Sequence, residues 1–296
     1  LLAAALLAAP AAQAQTRVTY KSASAGTSYY QMGVQIAEAM QAAAGDTVNV
    51  TVEESQGSVQ NVMEVAVRQG AYVFTAPPGL VAAAAAGSGP FEGKGNPRFE
   101  QIRALFPIPA LTMHFVMSAD SGVDSFDDLA GKTMLIGRGS FGAREGARYL
   151  ELFGVADQVE LADVEISNAV PALRNGQIDG FVTASSYPAP NVIEAAAGGG
   201  VTLLSLSEEQ VEATGRTRLV IPAGTYEGQE RDVVTTTLPV IAFGTTDMDD
   251  DTAYALTRTF WEEREAMAES ARWWGGVSPD LLATVRGRIH PGALRY

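Results

Sequence analysis

Cysteine is absent from the 296 residues, which removes disulfide staples, thiolate nucleophiles and cysteine metal ligands at one stroke. Histidine occurs only as His114 and His290, and neither has a metal-ligand partner at helical or short spacing. Lysine is limited to Lys21, Lys94 and Lys132. Acids outnumber bases 34 to 20, a net charge of −14, and that field repels nucleic-acid phosphates and anionic membrane surfaces. An anionic ligand would have to be held locally, by backbone dipoles or an arginine. The acidic run "DMDDD" (247–251) lacks the glycine and terminal glutamate of a calcium loop and suits the start of a helix instead. No G-x-S-x-G elbow exists, because Ser140 follows Gly139 directly. No metal, no cofactor and no nucleic-acid partner is expected.

Long apolar runs are missing too. The N-terminal "LLAAALLAAPAAQAQ" is too short to span a bilayer. Its Ala12-Gln13-Ala14 ending fits signal-peptidase cleavage after Ala14, so residues 1–14 are expected to be a signal-peptide remnant and the chain to be periplasmic. The other reading of this stretch is an alanine-rich helical extension.

What remains alternates between strand-like and helix-like runs, which predicts α/β layers with largely parallel sheets. "RVTYKS", "TVNVTVEES" and "AYVFTA" read as strands. "YYQMGVQIAEAMQAA" reads as a helix with Met32, Ile36 and Met40 on one face, and "SVQNVMEVAVRQG" as a second helix ending near Gly70. "GSGPFEGKGNPRFEQ" reads as an exposed loop. The plan restarts at "KTMLIG", and "AVRQGAYVFTAP" is echoed by "ALRNGQIDGFVTAS". Two lobes of like architecture follow, linked by apolar stretches at 102–118 and 233–244 whose Pro107, Pro109 and Pro239 suit edge or hinge segments. The expected partition is 15–110 with 233–296 for one lobe and 111–232 for the other.

One motif points elsewhere. Gly137-Arg138-Gly139-Ser140-Phe141-Gly142 matches G-x-G-x-x-G between a strand and a helix, with Asp163 near the place of a ribose-binding acid. An NAD-dependent oxidoreductase is therefore one reading, weakened by an export signal and by the lack of a catalytic histidine–acid pair.

Longer stretches decide for another family. "SGVDSFDDLAGKTMLIGRGSFG", "ALRNGQIDGFV", "IPAGTYEGQERDVVTTTLPVIAF" and "HPGALRY" resemble, in order, the TAXI group of solute-binding proteins that serve TRAP (tripartite ATP-independent periplasmic) transporters. "AGTSYYQMG", "QGSVQN", "GSGPFEGK" and "YPAPNVIE" fall in the same order. The resemblance implies a type II periplasmic-binding-protein fold, two α/β lobes joined by two crossing hinge strands and closing on a small solute. It implies integral membrane TRAP subunits as partners and a carboxylate such as glutamate or 2-oxoglutarate as cargo. A ligand-sensing domain feeding a signalling kinase would use the same architecture.

Under this resemblance Gly26, Ser28 and Tyr29 form the first ligand loop, although Ser28 also suits a helix cap. Gly57, Ser58 and Asn61 form the second, Ser58 again doubling as a possible cap, and Thr75 stands in the third. There Pro77-Pro78-Gly79 replaces a polar Gln-Ser-Asp. In the other lobe Arg138, Gly139, Ser140, Phe141 and Gly142 take the place of a Gly-Ser-rich loop, with Phe141 and Ala143 where serine and threonine are usual. Arg138 is a candidate carboxylate clamp. Ser186 and Tyr187 stand at a Gly-x-Pro-x-Pro position, Tyr187 placed to cap the solute or to pack between lobes. The substitutions favour a ligand with an apolar portion.

Overall fold

The computed structural model describes residues 15–137, 140–197 and 200–296. The expected signal segment 1–14 and the candidate site residues Arg138 and Gly139 lie outside the described residues.

Strand β1 (Thr16–Lys21) leads into α1 (Ser28–Ala44), whose Met32, Ile36 and Met40 are buried as their spacing predicts. Gly33 lets that helix settle on the sheet, since a Cβ there would stand 3.2 Å from Val52. β2 (Val48–Glu53), α2 (Ser58–Glu64) and β3 (Tyr72–Ala76) follow. The second helix stops six residues before Gly70. The Arg98 guanidinium takes the carbonyls of Val65 and Arg68, each at 2.8 Å, and so competes with continuation of the helix. α3 (Pro78–Ala85) is an additional helix, too uniformly apolar for its period to show in the sequence. The glycine- and proline-rich stretch after it is not simply an exposed loop. Its two 3₁₀ turns bury Phe91 and Phe99 edge to face, ring centres 5.7 Å apart.

The chain then crosses in one 17-residue strand, β4 (Ile102–Ser118). Beyond it come β5 (Thr133–Leu135), α4 (Phe141–Leu152), β6 (Glu160–Ala162), α5 (Ala169–Arg174) and β7 (Gly180–Ser185). Next are α6 (Pro190–Ala197), β8 (Val201–Leu203), α7 (Glu208–Thr214) and β9 (Thr217–Ile221). β10 (Val233–Thr245) returns, and α8 (Asp250–Ser270) and α9 (Pro291–Leu294) close the chain. Asp249 caps α8, accepting from the Thr252 amide at 2.8 Å, the helix-start role foreseen for the acidic run.

The strand order is β2-β1-β3-β10-β4-β7-β5-β6, with β8 added to β4 and β9 to β10. Parallel strands β1–β3 form one end and parallel β5–β7 the other. Antiparallel β4 and β10 run between them, so the proline-bearing stretches are central strands, not edges. Pro109 and Pro239 are tolerated because they fall in a register break between the pairs Leu238–Leu111 and Val240–Ile108, whereas Pro107 stands in the ladder opposite Ile241. One large core wraps β1–β4 and α8, where Phe106 stacks on Phe260 at 4.1 Å. A smaller core gathers Leu135, Phe181, Val192 and Tyr226 at the other end.

Candidate functional site

The C-terminal ends of β1 and β3 face the start of α4 across a narrow cleft of about 60 Å³. Open α/β sheets bind ligands at such strand ends. Ser22, Thr27, Ser58 and Thr75 contribute hydroxyls from one side, Ser140 and Thr183 from the other. Leu111 and Val240 of the crossing strands, with Ile136 and Phe141, supply apolar walls. The sides approach closely, since a Cβ on Gly57 would stand 3.5 Å from that of Ser140. A single water needs roughly 10–15 Å³ by this kind of measure, so the cleft in this closed arrangement suits a small solute.

Three features give it chemistry. The Ser22 hydroxyl is buried against the cleft without a hydrogen-bond partner among the described residues. Thr27 caps α1 and Ser140 caps α4, Ser140 Oγ accepting from the Ala143 amide at 2.9 Å. Both helices thus start at the cleft, where the first-turn N–H groups not taken by Thr27, Ser140 or Ser185 favour negative charge. No charged side chain lines the cleft among the described residues.

The two described glycines of the G-x-G-x-x-G stretch, Gly137 and Gly142, have turn and packing roles. Gly137 has φ +77°, a left-handed turn conformation. A Cβ on Gly142 would stand 2.7 Å from that of Ala184, so glycine there lets α4 lie on β7. These are the demands of any tight strand-to-helix turn, which is why the stretch imitates a dinucleotide motif.

The expected site residues separate into groups. Tyr29, Gly57, Ser58, Thr75, Ser140, Phe141 and Gly142 all line the cleft. Gly26 is exposed outside it, a turn residue with φ +84°. Asn61 is buried behind it, its amide donating to the carbonyls of Ser22 at 2.8 Å and Thr75 at 2.9 Å. It ties the ends of β1 and β3 together. The caps are also reassigned: Thr27, not Ser28, caps α1, and Gly57, with φ 110°, occupies the N-cap of α2 in place of Ser58. Sequence reasoning missed Ser22, Thr27, Gln56 and Thr183 as lining residues. Ser22 directly follows β1, so the strand-end rule could have found it.

Ser28 and Ser186 belong to a different structure. Ser28 Oγ and Ser185 Oγ share a hydrogen bond at 2.6 Å, and the Ser186 amide donates to Ser28 Oγ at 2.9 Å. The break in the β4–β10 ladder leaves the carbonyls of Pro109 and Ala110 to be satisfied. Tyr29 donates its hydroxyl to the first at 3.1 Å, and Ser186 donates to the second at 2.6 Å. Burial pushes the Tyr29 phenol well above its ordinary pKa. These hydroxyls therefore staple α1 and β7 onto the crossing strand, with Ser28 and Ser186 away from the cleft. Tyr187 also misses the cleft and lines a separate pocket.

The two histidines are structural. His114 Nδ1 donates to Thr112 O at 3.1 Å, and Nε2 accepts from the Tyr226 hydroxyl at 2.9 Å. A carbonyl can only accept, so its partner fixes the proton on Nδ1. Burial lowers the His114 pKa to about 4. Tyr226 in turn accepts from the Ala189 amide at 2.8 Å. Gln229 ties the same loop, accepting from the Tyr226 amide at 3.2 Å and donating to Pro222 O at 3.0 Å. His290 caps α9, accepting from the Gly292 amide at 3.2 Å and donating to Met248 O at 3.1 Å. Trp274 is fully buried and packs edge-on against Phe260, and the half-buried Trp261 also meets Phe260 edge-on.

Two lobes flanking a pair of antiparallel crossing strands, with a cleft at the strand ends, constitute the fold of the periplasmic solute-binding proteins. Similar solved structures agree. The periplasmic binding protein BugD matches with a TM-score of 0.61 at 14% identity, over 94% of this chain and 96% of that one. GshT, described in glutathione import by Streptococcus mutans, matches at 0.51 and 13% identity over 88% and 96%. A mutant of ArgBP from T. maritima matches at 0.51 and 13% identity over 88% and 95%. The chain belongs to the NMT1-like family, whose model matches residues 21–296.

Proposed function

We propose that this chain is an extracytoplasmic solute-binding protein that captures a small organic anion between its lobes and delivers it to a membrane transporter. The observation that carries this reading is the cleft itself, where the unpaired, buried Ser22 hydroxyl meets the starts of α1 and α4. A carboxylate fits that environment, because hydroxyls and helix N-terminal N–H groups can hold it without a formal positive charge. Glutamate, 2-oxoglutarate or a related acid is the cargo suggested by the TAXI resemblance, and TRAP subunits are the matching partner. The apolar walls favour a ligand with a hydrocarbon portion. Lobes 15–110 with 233–296 and 111–232 would move about β4 and β10, and the solute would favour closure because only then do both sets of hydroxyls reach it.

A thermal-shift screen tests the reading, using protein unfolded and refolded to strip carried-over ligand. The panel is small carboxylates, amino acids, neutral sugars and NAD. A ligand present at 100 times its Kd adds about 2.7 kcal/mol to the folded state, a shift of several degrees. The expected result is stabilisation by carboxylates alone. Stabilisation by sugars alone would refute the anion assignment, and by NAD alone would restore the dinucleotide reading.

A further inference from the structure

Strand β4 presents alternate residues to opposite faces. Leu111 faces the cleft, while its neighbours Ala110 and Thr112 line a second, larger pocket of about 690 Å³. This pocket also spans both ends of the molecule. Tyr187, Pro188 and the loop after β9 form one wall, and Arg272 with Trp273 forms the other. Its size falls in the range of small-molecule sites.

The hydroxyls of Ser186, Thr225 and Thr237 on its walls are taken by backbone carbonyls, but three other polar groups are unspent. Thr112 is 2% exposed, and its hydroxyl has no hydrogen-bond partner among the described residues. Neither the Tyr187 hydroxyl nor the Arg272 guanidinium has a partner among them. Arg272 is the sole charged side chain on these walls among the described residues. The Trp273 indole is held in place, donating from Nε1 to Gln35 Oε1 at 3.3 Å. A free guanidinium beside a fixed indole, a phenol and proline rings makes an amphipathic recognition surface.

We propose that this pocket is a second ligand site, separate from the cleft, and that it takes an aromatic carboxylic acid. The carboxylate pairs with Arg272, the ring lies against Trp273 and Tyr187, and the acid's remaining polar atom meets Thr112. The site commits to an anion because its walls carry one positive group and no acid.

Calorimetry with indole-3-acetate, benzoate and 4-hydroxybenzoate tests this on the intact protein. At least one acid is expected to bind with one-to-one stoichiometry. Arg272→Met should weaken it tenfold or more, as loss of a charge-assisted contact does. Thr112→Val, which keeps the shape of the floor, should weaken 4-hydroxybenzoate severalfold more than benzoate. Silence from all three acids would overturn the proposal. So would equal affinity in Arg272→Met, a substitution at an exposed position.

Discussion

Ser28 Oγ and Ser185 Oγ lie 2.6 Å apart in the interior although 157 residues separate them in the chain. The pair joins the first turn of α1 to the end of β7, and the Ser186 amide completes it. Ser28→Ala would leave that amide unpaired in a buried setting and leave the Ser185 hydroxyl only the residue-28 amide at 3.2 Å. A loss of about 1–3 kcal/mol in unfolding free energy is expected, measurable by urea denaturation. An unchanged midpoint would mean the staple contributes nothing to stability.

The proposed closure would bring Gly57 and Ser140 together. The Gly57 φ of +110° is costly for any other residue, and a Cβ there already reaches Ser140 at 3.5 Å. Gly57→Val should therefore abolish the ligand-induced thermal shift while the circular dichroism spectrum stays native. If the variant still responds to the wild-type ligand with an undiminished shift, the two sides do not close at this point.

His114 makes stability depend on pH. Burial lowers its pKa from 6.5 to about 4, so the unfolded chain binds the extra proton over that interval. Stability from this group is complete above about pH 6.5 and is lost as pH falls toward 4, by about 3 kcal/mol in total. His290 is also lowered by burial, so the comparison must be with a His114→Gln variant. Urea titrations across pH 4.5–7 should show a shallower pH slope in that variant, and parallel slopes would remove His114 as the cause.

The alternation of apolar runs made the α/β class legible, and strand-end glycine and serine loops located the cleft to within a few residues. Other features were hidden for identifiable reasons. Ser28 resembles a ligand or capping serine because hydroxyl chemistry is the same in all three roles, and only the distant Ser185 settles which applies. Asn61 resembles a ligand residue for a similar reason, yet its amide is taken by two backbone carbonyls. α2 looked longer because Arg98, which takes the carbonyls of Val65 and Arg68 just past its end, lies 33 and 30 residues beyond them. The motifs that carry the TAXI resemblance, around Tyr226 and His290, tie loops and caps together.

Gly142 gives the sharpest test of what the G-x-G-x-x-G pattern does here. Its missing side chain brings α4 against Ala184, where a Cβ would stand 2.7 Å away from another and cannot be accommodated without movement. Gly142→Val should destabilise the fold by about 1–3 kcal/mol, the usual cost of overpacking, and should displace Ser140, the cap at the mouth of the cleft. Pairing it with Ala184→Gly separates the two effects. Space returned at position 184 should recover part of the stability in a urea titration, with the coupling visible as non-additivity. Strict additivity of the two substitutions would show that Gly142 is not required for helix-on-strand packing, and the pattern would then need a ligand to explain it.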